Sequence, residues 1–387
     1  MMHNVNKTSI LEFIRNKGPV SRSTIASALG LSLSSVVHIT EELLKSDFVC
    51  AAEGSGQSGG RRIPLFKMDE ENNLCISIDL GGTKIYAVLM DLSGKVLKAK
   101  EIVNHNLKGE EAYCLICDII RELLAFWEKT KKKLLGISIG VPGSIDKTNS
   151  VVQWAPSLDW RDFALKQRLE NDFHMEVEIA NDLNLGALGE AWFGQGQNMS
   201  EFVFISIGTG LAGGMVIGHS VYAGAHNMAG EIGYSIFDKE CLKKDYPGFG
   251  PLEMIASGMG ISLRAKEHLE SILGEEELKK VTGRYAFEAC RKGEKWAVEI
   301  IDDMADYLSM AIVSICAMID PEAIILGGGI SNSADVFLDR IKENLQYTNS
   351  NNIPLLISNI AKNVTVLGAM IKLFHRKSNF AAIQYSV

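Results

Sequence analysis

The sequence has few prolines, few cysteines and no long apolar run. Eight prolines accompany 36 glycines, a balance that favours tight turns over flexible linkers. No stretch reaches the roughly 18 apolar residues needed to cross a bilayer, and the polar N-terminus shows no cleavable signal. The seven cysteines form no repeated CxxC pair, which indicates reduced thiols. These absences exclude a disulfide scaffold and predict a cytoplasmic protein without membrane contact.

The length and the charge distribution predict more than one structural unit. A chain of 387 residues exceeds what one compact core organises, so we expect two or three units. Residues 1–67 contain eight basic and five acidic side chains, a net charge of +3, whereas the whole chain carries −8 and the remainder therefore −11. A mildly basic head on an acidic body suits a DNA-binding head, because phosphate repels the body.

Residues 10–45 have the spacing of three short helices. Ser21 and Ser32 are good N-caps for the second and third helices, and Gly30 ends the second. Two short helices joined by a turn of about four residues form a helix-turn-helix unit. A recognition helix presents its outward side chains to the major groove. The outward positions on the third helix are Ser34, Ser35, Val37 and His38.

A β-hairpin with a glycine-rich tip is predicted after the third helix. Residues 48–50 and 63–66 are apolar, and the segment between them ends in the pair Arg61-Arg62. Glycines let a backbone approach DNA closely, and two arginines can enter a narrow minor groove. The alternative for this segment is a solvated linker between domains. His38 also has an alternative, as a surface or helix-packing residue.

Two similar units of strand, Gly/Thr turn and strand follow, 126 residues apart. Unobstructed glycine N–H groups and threonine hydroxyls suit phosphate oxygens, although a glycine in a β-turn needs no ligand. A third glycine loop at the end of an apolar strand suits a nucleotide base or ribose. The predicted nucleotide-binding residues are Gly81, Gly82, Thr83, Lys84, Gly208, Thr209, Gly210 and Gly328.

The polar pair Asn181-Asp182 ends an apolar strand and precedes a predicted helix. Proteins with α/β folds place their chemistry at such strand ends. Asp182 can accept a proton from a substrate hydroxyl that attacks a phosphoryl group. The alternative role of Asp182 is to cap the helix, and both roles can hold together.

The ordered set of motifs resembles the ROK family of repressors, open reading frames and sugar kinases. The stretch Gly59-Gly60-Arg61-Arg62 after a winged helix is similar to the sugar-responsive repressor branch of that family. The resemblance spans nearly the whole chain and implies an α/β protein, with an N-terminal winged helix-turn-helix plus a two-lobed actin-like (ribonuclease-H-like) ATPase domain. The motifs are Asp79–Lys84, Gly140–Gly143, Asn181-Asp182, Gly208–Gly210, Gly230–Gly233 and Gly327–Gly329.

The resemblance also implies domain boundaries. Residues 1–70 would form the winged helix-turn-helix domain, residues 71–195 the first lobe and residues 196–365 the second lobe. A C-terminal helix at about residues 366–387 would pack back on the first lobe, by the preference of apolar helix faces for burial.

The ligands implied by the resemblance are a monosaccharide and ATP with Mg²⁺, in the cleft between the lobes. Asp182 would be the catalytic base. A surface carboxylate is the alternative interpretation of Glu231. Leaving a buried sugar hydroxyl unpaired costs about 1–3 kcal/mol, so polar side chains specify the sugar. The implied sugar-binding residues are Asn181, Asp182, Glu231, Tyr234, Glu253 and Gly143.

The sequence departs from the family pattern at a structural zinc site. Family members have a histidine after Glu-(Ile/Leu)-Gly and three cysteines in a CxCGxxGCLE stretch, whereas this chain has Tyr234, Lys244, Tyr246 and Pro251 at those positions. None of these supplies the nitrogen or thiolate ligands that zinc requires, so we expect no zinc. The missing histidine is also a family sugar ligand. Tyr234 can still donate one hydrogen bond, but the preferred sugar can differ.

Two functions are compatible with these motifs. The first is a sugar-responsive transcriptional regulator, of repressor type, for carbohydrate genes. It would act as a homodimer or larger oligomer, in which two winged helices read a pseudo-palindromic double-stranded DNA operator. The second is an ATP-dependent kinase for a hexose or N-acetylhexosamine, because the phosphate motifs and Asp182 are retained. A protein with both functions is the third alternative, and the sequence leaves the sugar and the operator open.

Overall fold

The N-terminal head consists of three helices and a hairpin. The computed structural model describes residues 2–58, 61–81, 84–103, 108–246, 248–348 and 352–378. The helices are α1 (Met2–Lys17), α2 (Arg22–Leu29) and α3 (Leu33–Lys45), and the antiparallel strands are β1 (Val49–Ser58) and β2 (Arg61–Met68). Val20 adds a bridge to Phe66. The winged helix-turn-helix fold of the head is therefore confirmed.

The predicted helix signals of the head are present. The Ser21 hydroxyl accepts a hydrogen bond from the Thr24 amide at 3.1 Å, and the Ser32 hydroxyl accepts one from the Ser35 amide at 3.2 Å. Gly30 ends α2 at a φ of 64°, a left-handed conformation that suits glycine. These caps set the short turn that places α3 across α2.

The first lobe is organised around a five-stranded sheet. Its strand order is β10-β6-β3-β4-β5, and the central strand β3 is parallel to β6 and antiparallel to β4. A small antiparallel sheet, β7-β8-β9, follows β6. The elements are β3 (Asn73–Leu80), β4 (Lys84–Asp91), β5 (Val96–Val103), α4 (Gly109–Trp127), β6 (Lys133–Val141), β7 (Ser144–Ile145), β8 (Val152–Ala155), β9 (Trp160–Phe163), α5 (Leu165–Phe173), β10 (Val177–Asn181) and α6 (Asp182–Phe193).

The second lobe repeats this topology. Its strand order is β13-β12-β11-β14-β15, and the central strand β11 is antiparallel to β12 and parallel to β14. The elements are β11 (Phe202–Ile207), β12 (Leu211–Ile217), β13 (Ser220–Tyr222), α7 (Glu253–Ala256), α8 (Gly258–Leu269), α9 (Glu275–Leu278), α10 (Gly283–Arg291), α11 (Lys295–Ile319), β14 (Ala323–Gly327), α12 (Leu338–Gln346), β15 (Leu355–Ile357) and α13 (Val364–Ser378). Two sheets of the same topology form the two-lobed actin-like domain predicted from the sequence.

Apolar side chains divide between separate cores in the lobes, and the head shares a core with the first lobe. Ile14 of α1, Phe66 of β2, Val88 of β4 and Phe374 of α13 belong to one buried cluster. Helix α13 packs against α6 and against β3, β6 and β10 of the first sheet. The chain thus returns to the first lobe after completing the second. None of the described helices is long and apolar enough to cross a membrane.

Candidate functional site

The strand end at Asn181 is shaped by hydrogen bonds from its own side chain. Asn181 Oδ1 accepts from the amides of Leu183 at 3.0 Å and Asn184 at 3.1 Å, and Nδ2 donates to the Gly143 carbonyl at 3.1 Å. Asn181 is therefore the N-cap of α6, which corrects the alternative that assigned the cap to Asp182. The carboxylate of Asp182, the first residue of α6, also accepts from the Leu183 amide through Oδ1 at 3.0 Å but is not the N-cap.

Strand register brings Asp79 to the same edge of the sheet as Asp182. Both β3 and β10 pair with β6, and Asp79 and Ala180 flank Gly140 from its two sides. A Cβ added at Gly140 would lie 2.6 Å from Thr365 Cγ2 and 3.4 Å from the Asp182 Cα. The position therefore favours glycine, because a side chain there would collide with the methyl group of Thr365.

Two acidic side chains of the second lobe, Glu231 and Glu253, lie near these carboxylates. The carboxylate of Glu253 accepts from the Leu211 amide through Oε1 at 2.9 Å and from the Gly250 amide through Oε2 at 3.2 Å. Among the residues that the structure describes, none bonds the carboxylate of Glu231. We call Asp79, Asp182, Glu231 and Glu253 the acidic cluster.

Burial and mutual repulsion raise the pKa values of the acidic cluster. Burial raises the pKa of Asp182 well above its usual range, and the nearby carboxylates of Asp79 and Glu231 raise it further. Burial raises the pKa of Asp79 to about 6, against the opposing charge of Lys84. Burial and Glu253 raise the pKa of Glu231. Carboxyl groups with raised pKa values in a cleft are candidates for proton transfer.

The cluster retains hydrogen-bonding capacity for a polyhydroxylated ligand. Each carboxylate oxygen has about two acceptor positions, so Glu253 can accept two more hydrogen bonds and Asn181 can donate one more. The Tyr234 side chain is 41 % exposed. Burial, followed by the charges of Glu253 and Glu231, raises the pKa of Tyr234. Tyr234 therefore lies at the rim of the cluster with a hydroxyl that can donate.

Gly143 and Asn227 position the walls of the cleft. Gly143 has a φ of 107°, and an added Cβ would lie 2.2 Å from the Trp154 carbonyl oxygen. Asn227 of the second lobe donates from Nδ2 to the carbonyls of Ile145 at 3.0 Å and Asp146 at 3.1 Å in the first lobe. Sequence reasoning missed Asn227 because no motif contains it. It also left Asp79 out of the site, although an acid at the end of a buried strand was a usable signal.

The glycine loops of the second lobe meet beside this cleft. The Gly208 amide donates to the Gly210 carbonyl at 2.9 Å, and the Gly258 amide of α8 donates to the Gly208 carbonyl at 2.8 Å. Gly328 has a φ of 80°, and an added Cβ would lie 2.5 Å from the Ile207 carbonyl oxygen. Thr209 is exposed. Within the described part of the chain, no atom lies within 4 Å of a Cβ added at Gly208, so the turn leaves open space for a ligand.

The corresponding turn of the first lobe is only partly described. The Gly81 amide donates to the Lys84 carbonyl at 2.9 Å. Gly82 and Thr83 lie outside the described residues. The Lys84 ammonium pairs with Glu101 Oε1 at 3.0 Å. Lys84 therefore has a protein partner in this structure, on the neighbouring strand β5.

The outer surface of the head presents part of the predicted DNA-binding set. Ser34 and His38 are exposed, whereas Ser35 and Val37 are half-buried. The His38 Nε2 lies 3.1 Å from Glu42 Oε1. The backbone of Arg61 and Arg62 belongs to β2, and their side chains lie outside the described part of the structure.

The positions that replace the family's zinc ligands have other contacts. Tyr246 donates from its hydroxyl to the Cys241 carbonyl at 3.2 Å, and Tyr234 faces the cleft rim. In the part of the chain that the structure describes, no three histidine, cysteine or acidic side chains group closely enough to hold a metal ion.

The fold and the cleft define a class of protein: a two-lobed, actin-like domain of the sugar-kinase type joined to a winged helix. A model described as the ROK family matches residues 75–376, and the chain belongs to the ROK family. A xylose repressor of Caldicellulosiruptor bescii is 28% identical, over 96% of this chain and 95% of its own length.

Two solved structures resemble this chain in fold. The structure of a ROK family transcriptional regulator, a homologue of the E. coli MLC protein, covers 98% of both chains with a TM-score of 0.84 and 22% identity. A ROK family glucokinase from Streptomyces griseus, in complex with glucose and AMPPNP, covers 76% of this chain and 97% of that chain with a TM-score of 0.67 and 27% identity. The match to the regulator thus extends over the head as well as both lobes.

Proposed function

We propose that this protein is a sugar-responsive transcriptional repressor of carbohydrate genes. The observation that carries the proposal is the fusion of a winged helix with exposed recognition positions to a cleft that holds the acidic cluster. The full-length similarity to a xylose repressor supports the same function. The protein acts as a homodimer or larger oligomer on a double-stranded operator, because each head reads one half-site.

The ligand of the cleft is a monosaccharide. Its hydroxyls donate to Glu231, Glu253 and Asp182, while the free N–H of Asn181 and the hydroxyl of Tyr234 donate to its oxygens. A ligand that leaves Asn181 or one of the largely buried carboxylates unpaired loses about 1–3 kcal/mol. Tyr234 stands where the family has a histidine, so it is the residue we expect to shift the preference among sugars.

Sugar-dependent DNA binding is the direct test. We expect the purified protein to retard DNA from upstream of its own gene, and D-xylose or D-glucose to change the Kd for that DNA. Glu231→Gln is expected to weaken sugar affinity roughly 10-fold, since it removes an acceptor worth about 1–3 kcal/mol, and to leave DNA affinity without sugar unchanged. Glu240→Gln, at an exposed position outside the cleft, is the matched control. Failure to retard any such DNA, with or without sugar, would remove the proposal.

A sugar kinase is the second candidate, favoured by the open turn at Gly208 and by the raised pKa of Asp182. The residues present fit a nucleotide: Gly208–Gly210 and Gly328 would surround ATP, which supplies the phosphoryl group together with Mg²⁺. Asp182 would take the proton of the attacking sugar hydroxyl. No zinc takes part, because Tyr234, Lys244, Tyr246 and Pro251 supply no suitable ligands.

Sugar-dependent ADP formation discriminates the two candidates. If the cleft transfers phosphate, Asp182→Asn is expected to lower turnover roughly 100- to 10,000-fold, the usual contribution of a positioned general base. The same variant should still retard DNA, because Asp182 lies in the first lobe and not in the head. Absence of ADP formation over a broad panel of sugars would remove the kinase and leave the repressor.

A further inference from the structure

Helix α6 connects the acidic cluster with the DNA-binding head. Its first residue is Asp182, and its last turn contains Trp192. At about 1.5 Å per residue, its 12 residues span roughly 18 Å. One continuous helix therefore carries a cluster side chain at one end and a contact with the head at the other.

The contact with the head is a stacked arginine. Arg15 of α1 places its guanidinium carbon 3.6 Å from the centroid of the Trp192 ring and donates from Nη2 to the Trp192 carbonyl at 3.3 Å. Burial lowers the pKa of Arg15, against the opposing charges of Glu12 and Glu70. A cation–π contact depends on the position of the cation over the face of the ring. A shift of Trp192 therefore acts on α1 directly.

Helix α6 is held between the lobes by close backbone contacts. A Cβ added at Gly214 of β12 would lie 2.4 Å from the Leu183 carbonyl oxygen, and one added at Gly368 of α13 would lie 1.8 Å from the Leu185 carbonyl oxygen. Close-packed surfaces of this kind transmit displacement rather than absorb it. Because β12 belongs to the second lobe and α13 packs on the first, a change in the angle between the lobes must displace α6 relative to one of them.

Helix α1 also lies near the second lobe. Burial raises the pKa of Glu12 on α1, and the charges of Arg15 and then of His219 oppose that rise. His219 lies between β12 and β13 of the second lobe. Helix α1 is thus close to both lobes. A cavity of about 310 Å³ beside Arg15, lined also by Glu70, Trp192 and Gln197, leaves room for this junction to rearrange.

We propose that α6 is the lever through which sugar occupancy repositions the DNA-binding head, with the Arg15–Trp192 contact as its connection to α1. This inference rests on the proposed function and specifies its regulation. Sugar bound at the acidic cluster favours one arrangement of the lobes, α6 takes the matching position, and the stacked arginine moves α1 with it. The two ligands are then coupled because each arrangement has its own affinity for DNA.

The test measures how strongly sugar binding changes DNA affinity, rather than either affinity alone. The Kd for operator DNA is determined with and without saturating D-xylose, and in parallel D-glucose, for wild type, Arg15→Ala and Trp192→Leu. In wild type we expect the sugar to change the Kd about 5- to 150-fold. In both variants we expect that change to shrink to less than about 2-fold, while calorimetric sugar affinity and DNA affinity without sugar stay within about 3-fold of wild type.

Two further variants make the result decisive. Lys17→Ala removes an exposed charge from the same helix and should keep the wild-type response. Arg15→Lys keeps the charge but not the planar stack, so it should lose the effect of sugar on the Kd for DNA. It serves as the test variant if Arg15→Ala or Trp192→Leu does not fold. A wild-type response in Arg15→Ala, Arg15→Lys and Trp192→Leu would overturn the lever. A wild type whose DNA affinity changes with neither of these sugars nor with any other in a broad panel of monosaccharides would instead overturn the proposed function, and the lever with it.

Discussion

Replacing both Arg61 and Arg62 by alanine is expected to weaken operator binding about 100-fold or more, with sugar affinity unchanged. A base-contacting or groove-inserted arginine contributes about 1–3 kcal/mol, and tenfold in affinity corresponds to about 1.4 kcal/mol. Each phosphate neutralised contributes about −0.9 to the slope of log K against log salt concentration, so the magnitude of that slope should fall by about 1.8. Fluorescence anisotropy with labelled operator at several salt concentrations measures both quantities.

A charge-matched control separates DNA contact from net charge. Lys279→Ala with Arg284→Ala also removes two positive charges, from side chains that are 69% and 89% exposed in the second lobe. This variant should bind DNA with nearly the wild-type slope. An arginine variant that behaves like the control would favour the linker interpretation of the hairpin tip over the DNA-binding wing.

The features predicted from the sequence are those encoded by neighbouring residues. The Ser21 and Ser32 caps and the left-handed Gly30 depend on contacts within one helical turn, so their spacing identified the helix-turn-helix before any fold was known. The strand ends at Asp79 and Asn181 were recognisable for the same reason. Their meeting at one sheet edge followed only once both strands were known to pair with β6.

The features that escaped prediction join distant parts of the chain. Arg15 and Trp192 are 177 residues apart and Asn227 and Ile145 are 82 apart, and local periodicity contains no information on such pairs. The alternative that made Asp182 the helix cap was wrong for a different reason. Both side chains can cap a helix, and only the residue at which the helix starts decides between them.

The acidic cluster is expected to destabilise the folded protein above pH 6, so Asp79→Asn should raise the free energy of unfolding at pH 7.5. Burial raises the pKa of Asp79 from 3.8 to about 6. Between these values the folded state holds a proton that the unfolded state has released, so stability falls as the pH rises through this window. The loss of stability is absent below the pKa of Asp79 in the unfolded state and complete above pH 6. There, the difference of about two pKa units corresponds to roughly 3 kcal/mol.

Urea unfolding at pH 4.5 and pH 7.5 measures the effect. The stabilisation by Asp79→Asn should be largest at pH 7.5 and clearly smaller at pH 4.5, where the folded wild type already holds the proton. Asp339→Asn, at a side chain that is 91% exposed, should leave the free energy of unfolding unchanged at both pH values. A gain of equal size at both pH values, or a loss at pH 7.5, would contradict the assignment of the pKa. Stabilisation at pH 7.5 combined with weaker sugar binding would indicate that the buried carboxylate is kept for its ligand and not for the fold.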